Sequence, residues 1–97
     1  MPTREIKFKT QDEIINKRIF KYDTSLTIED MLLDFLRETN SKMVLDPNQI
    51  SFLFKALLIN KKENLQKKVG EVFRSTHNIA INVIDTNFII GGKYFIL

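Results

Sequence analysis

Polar and apolar residues alternate along Glu5-Ile6-Lys7-Phe8-Lys9-Thr10. A period of two lets a strand bury one face and wet the other, so Ile6 and Phe8 are expected inside. The polar stretch Thr10-Gln11-Asp12-Glu13 turns the chain. Ile14 to Tyr22 then reads as a second strand that closes a hairpin. Ile19, Phe20 and Tyr22 cannot all face one way, and the reading places Phe20 and Tyr22 inward. A helix follows. Thr27 is its N-cap, Asp30 offers a capping-box-like carboxylate, and Ile28, Met31, Leu32, Phe35 and Leu36 make one apolar stripe at helical spacing. Glu29, Asp30 and Asp34 form its solvent face, with acidic residues near the N-terminus as the macrodipole favours. The pattern ends at Thr39-Asn40-Ser41.

Asp46-Pro47-Asn48 signals a turn. A third strand puts Ile50, Phe52 and Phe54 on one face and Ser51, Leu53 and Lys55 on the other. Ala56 to Ile59 reads as a short fourth strand and Asn60 to Glu63 as a polar loop. Leu65, Val69, Val72 and Phe73 have loose helical spacing, which Gly70 weakens. Ile79 to Ile84 alternates again, with Ile79, Ile81 and Val83 inward. Strands with one apolar side and a helix with one stripe predict an α+β domain, its helix laid across one face of the sheet.

Composition narrows the class. The chain has 97 residues, 43% of them hydrophobic and 28% charged. One small folded domain is expected, not a disordered chain. The formal charge of +3 and isoelectric point near 9.3 imply mild affinity for acidic surfaces. No block of five or six basic residues makes a nucleic-acid arm. The sequence contains no cysteine, which removes thiolate chemistry and fits an intracellular, cytoplasmic or nuclear setting. No apolar run is long enough for a bilayer, and the N-terminus does not read as a signal peptide.

The order of these segments resembles the ubiquitin-like family. Glu5 to Thr10 is similar to its first strand, including the closing Lys9-Thr10. Ser25-Leu26-Thr27-Ile28-Glu29 resembles its helix start, and Leu45 to Phe54 its proline-containing turn and third strand. Asn64-Leu65 and the strand Ile79 to Ile84 follow in the same order, and Gly91-Gly92 resembles the di-glycine that ends its modifiers. The resemblance covers roughly residues 5 to 92. It implies a β-grasp fold with a mixed four- to five-stranded sheet and one main helix. It divides the chain into a domain over 1–92 and an extension over 93–97. A tail that continues past Gly92 also resembles ubiquitin-like domains of ciliate precursors, which stand beside intein-like elements.

Function carried over from the family divides in two. A modifier would be matured at Gly91-Gly92 and conjugated through the Gly92 carboxylate, which requires removal of Lys93 to Leu97. Alternatively, the chain is a non-conjugating interaction module of a larger protein. It would then dock through a sheet face around Leu53, with Lys55, Lys9, Ala80 and Asn82. Leu53 stands at the place of the family's central patch isoleucine. Asn82 and Ala80 replace its valine and histidine, and the arginines before the di-glycine are missing. Gly-Gly between two apolar stretches is also a hairpin signal, and both readings of it stay open.

Other chemistry is thin. His77 is the only histidine and sits in a polar segment. Glu29, Asp30 and Asp34 read as a solvated helix face, and no phosphate-loop glycine spacing occurs. Lys61-Lys62 and Lys67-Lys68 lack interleaved aromatics for single-strand binding. The expectation is a monomer without enzymatic activity, cofactor or metal, whose partners are proteins and not nucleic acid or membrane.

Overall fold

The computed structural model describes residues 2–42 and 44–85. Gly91, Gly92 and the 93–97 extension lie outside them. Among the described residues five strands and four helices follow one another: β1 (Thr3–Lys9), α1 (Glu13–Asn16), β2 (Phe20–Asp23), α2 (Ile28–Glu38), β3 (Ile50–Phe54), β4 (Leu57–Leu58), α3 (Lys62–Leu65), α4 (Val69–Val72) and β5 (Ile79–Asp85). The sheet order is β2-β1-β5-β3-β4. β1 and β5 run parallel at the centre, and every other pair is antiparallel. This is an α+β domain with a mixed five-stranded sheet, the β-grasp arrangement.

Alternation in β1, β2, β3 and β5 sends Ile6, Phe8, Phe20, Tyr22, Ile50, Phe52, Ile79 and Ile81 to one face, where they are buried. α2 lays its stripe over them. Thr27 caps it as expected, its hydroxyl accepting from the Asp30 N–H at 3.1 Å. Ile28, Met31, Leu32, Phe35 and Leu36 are all buried. The layers meet through aromatic rings. Phe8 stacks on Phe35 with centroids 4.0 Å apart and meets Phe20 and Phe52 edge-on at 5.2 and 6.3 Å. Such geometry adds to the area term because ring edges and faces carry opposite partial charge. Val83 and Phe54 are half-buried against this core, with Phe54 edge-on to Phe73 at 4.8 Å.

Three segments differ from the sequence reading. The stretch from Ile14 is not a strand of a tight hairpin; it opens with α1, and β2 begins only at Phe20. Side-chain hydrogen bonds explain this. The Asp12 carboxylate accepts from the Ile14 N–H at 2.8 Å and more weakly from the Ile15 N–H at 3.4 Å. The Asn16 amide closes the turn on Thr10, accepting from its N–H at 2.6 Å and donating to its carbonyl at 2.9 Å. Asx capping competes with the strand ladder and wins locally.

Asn60, expected in a polar loop, is fully buried. Its Oδ1 accepts from the Phe52 N–H at 3.0 Å, and its Nδ2 donates to the Ile50 carbonyl at 2.7 Å. With the Ile59 N–H donating to the Phe52 carbonyl at 2.9 Å, it prolongs the β3 ladder past the two residues of β4. The fourth strand is thus shorter than Ala56 to Ile59.

The loose helix around Gly70 resolves into two single turns, α3 and α4. A Cβ at Gly70 would stand 2.9 Å from the Thr24 Cβ, and the Gly70 N–H donates to the Thr24 carbonyl at 3.0 Å. Gly70 permits that contact, which its low helix propensity does not reveal. Around it, the Ile28 N–H bonds the Lys67 carbonyl and the Val69 N–H the Leu26 carbonyl, both at 2.8 Å. The segment is zipped to the start of α2.

Candidate interaction surface

The sheet face opposite α2 carries the other half of each alternation. Register sets its rows, because directly paired residues project side by side. Lys9 pairs with Asn82, Asn82 with Leu53, and Leu53 with Leu58. One row therefore crosses four strands, from β1 through β5 and β3 to β4. Ala80 lies two residues along β5 from Asn82, on the same face, and pairs with Lys7. Ile84 lies two residues the other way and pairs with Ser51.

The fold thus brings Leu53, Lys9, Ala80 and Asn82 together, although they lie far apart in sequence. Leu53, Leu58, Ala80 and Ile84 are half-buried, while Lys7, Lys9 and Asn82 are exposed. An apolar centre is flanked along β1 by two lysines. On the same face, where β1 meets β2, Lys21 pairs with Glu5 and approaches it at 3.9 Å, a solvent-exposed pair that contributes little to stability. A recess of about 400 Å³ beside Ala80 is lined by Glu5, Lys7, Ile19 and His77.

Lys55 is placed differently from the other four. It occupies the β3–β4 turn with φ of 55°, and its ammonium lies over the Phe54 ring at 5.3 Å from the centroid. It borders the row from the turn, outside the ladder. Sequence reasoning missed Lys7, Leu58 and Ile84. The phase of β1 and β5 would have found Lys7 and Ile84, since each is two residues from a named outward position. Leu58 needed the hairpin register, which depends on where the two-residue turn falls.

Two titratable groups are displaced elsewhere. Burial pushes the Tyr22 hydroxyl up, reinforced by the Asp34 and Glu38 carboxylates, so it stays protonated. The Ser25 N–H and hydroxyl donate to Asp23 at 2.8 and 2.7 Å and hold its carboxyl below the usual range.

Among the described residues no group of three or more His, Cys, Asp or Glu side chains is placed to hold a metal ion. None of their helices is long and apolar enough to cross a membrane. No family model matches the chain, and no curated protein matches it at a significant level.

Proposed function

We propose that this chain is a protein-binding module of β-grasp architecture that docks a partner through the outer face of its sheet. The row Lys9–Asn82–Leu53–Leu58 carries the reading. It sets half-buried Leu53 and Leu58 on β3 and β4 across Asn82 of β5 from the exposed Lys9 of β1. Central apolar contacts supply affinity, and rim charges supply orientation and on-rate. The module acts without catalysis, as a monomer, and its cysteine-free sequence suits an intracellular setting.

Leu53→Asp tests this. In pull-downs from the source lysate, partners retained by the wild-type chain and by the helix-face control Leu33→Asp should be lost with Leu53→Asp. Far-ultraviolet circular dichroism should stay unchanged. Retention of the same partners by folded Leu53→Asp would rule the face out.

A second reading is a protein modifier, favoured by Gly91-Gly92 lying six residues past Asp85 at the end of β5. Cleavage after Gly92 would free a carboxylate for activation and transfer to a target lysine. Lysate should then yield a product shortened by the five residues Lys93 to Leu97, together with covalent adducts that Gly92→Ala abolishes. Absence of both species excludes it.

A further inference from the structure

The β3–β4 turn, the end of α4 and the loop into β5 meet at one end of the core. Phe54, the last residue of β3, packs edge-on against Phe73 with centroids 4.8 Å apart. Phe73 is the fully buried C-cap of α4, and its carbonyl accepts from Arg4 Nε at 2.7 Å. The backbone leading into Arg74 is therefore held from two sides. A recess of about 250 Å³ lies between these segments, lined by Phe54, Lys55, Val72 and Arg74 together with Ser75 and Asn78. It falls below the ~300–1,000 Å³ typical of ligand clefts, which suits a side chain and not a cofactor. Past Phe54 and Val72 it continues onto a shallow apolar shelf with Ala56 and Leu57, and Leu57 is 38% exposed.

The fold brings two cations to this recess. Lys55 has φ of 55°, a left-handed conformation unfavourable to a residue with a Cβ. Its ammonium lies over the Phe54 ring. Arg74 is exposed directly after the buried Phe73. Among the described residues neither forms an ion pair. All 12 Asp and Glu residues of the chain fall within that set, so no acidic side chain outside it can neutralise the pair. Glu71, the acidic residue of α4, is engaged by the Lys68 N–H at 2.9 Å. Among the described residues no Asp or Glu lines the recess or the shelf.

The geometry points to a second docking site, which takes a partner's peptide segment presenting an Asp or Glu beside a bulky apolar side chain. Lys55 and Arg74 receive the carboxylate, and the shelf of Phe54, Leu57 and Val72 receives the apolar group. A free anion or a nucleic-acid backbone would leave that shelf uncovered, whereas an amphipathic peptide fills both parts. The strained backbone at Lys55 then has a use, since it holds a cation where the ladder would not place one. This site goes beyond the outer-face reading and shares no residue with the Lys9–Asn82–Leu53–Leu58 row.

The probes are two blocked tetrapeptides of matched shape, acetyl-Leu-Asp-Phe-Glu-amide and its uncharged counterpart acetyl-Leu-Asn-Phe-Gln-amide. Each is titrated into the full isotope-labelled chain and followed by amide NMR. The acidic peptide should saturate shifts centred on Lys55, Leu57 and Arg74, and the uncharged one should bind them much more weakly. Asn tolerates the left-handed backbone, so Lys55→Asn removes the charge and keeps the turn. Combined with Arg74→Gln at an exposed position, it should weaken the acidic peptide roughly tenfold, the size that two partly exposed ion pairs supply.

Equal response to both peptides, shifts confined to the Leu53 face, or unchanged affinity in the folded double variant would overturn the proposal. Inorganic phosphate that saturates the same shifts as tightly as the acidic peptide would also overturn it, in favour of a simple anion site. Two other occupants would do the same. Shifts at these residues that grow with protein concentration alone would identify a second copy. Shifts there on replacing residues 86–97 by a Gly-Ser tract of equal length would identify the chain's own segment.

Discussion

Single residues reveal where local preference and tertiary need part company. Gly70 is unfavourable for a helix by propensity, yet its missing Cβ is what lets α4 approach Thr24. Gly70→Ala should therefore destabilise the domain by about 1–3 kcal/mol through overpacking, read as a lower urea midpoint with unchanged slope. Lys55 is the converse. Its φ of 55° lies in the left-handed region, which costs a residue with a Cβ roughly 1–2 kcal/mol. Part of that is returned as unfolded-chain entropy when Gly replaces it, so Lys55→Gly should stabilise by about 0.5 kcal/mol in the same assay. Neither effect is legible in sequence, because both depend on what the backbone meets in space.

Elements were legible in proportion to how strongly one period dominated them. β1, α2 and β5 each bury a clean face, and a residue read there as inward is buried or half-buried. α1 and β4 are short, and hydrogen bonds reaching beyond their own pattern decide them. Asn60 is the sharpest instance: its amide substitutes for a strand against β3. Asn60→Ala would leave the Phe52 N–H and the Ile50 carbonyl without that partner inside the protein. A loss of about 2–6 kcal/mol is expected, each of the two unsatisfied groups costing about 1–3. Hydrogen exchange should locate it, with protection falling most at the Phe52 amide.

At the scale of the whole molecule, Phe8 is the hub. Its ring touches β2 through Phe20 and Tyr22, α2 through Phe35, and β3 through Phe52. Phe8→Ala should cost about 3–5 kcal/mol, a large share of the ~5–15 kcal/mol that stabilises an ordinary domain. A thermal melt followed by circular dichroism should lose its cooperative transition or shift steeply downward. The same topology assembles the outer surface. Parallel pairing of β1 with β5 sets Lys9 beside Asn82, and antiparallel pairing of β5 with β3 sets Asn82 beside Leu53. The candidate site was readable as residue types and faces, since alternation alone sends Leu53, Ala80 and Asn82 outward. Their adjacency was suggested by family resemblance, and the register supplies it physically. Lys55 also faces outward by alternation, but the turn takes it out of the ladder.

The sequence by itself determined the fold class, the inward face of the main strands, the stripe of α2 and the absence of thiol chemistry. All of these follow from residue identity and a repeat of two or 3.6, which any short window contains. Only the tertiary structure decided that the chain after Asp12 coils before it extends, that Asn60 is interior, and that Gly70 is needed at Thr24. Each of these depends on contacts between segments distant in sequence or on competing local hydrogen bonds, whose outcome no hydropathy pattern encodes.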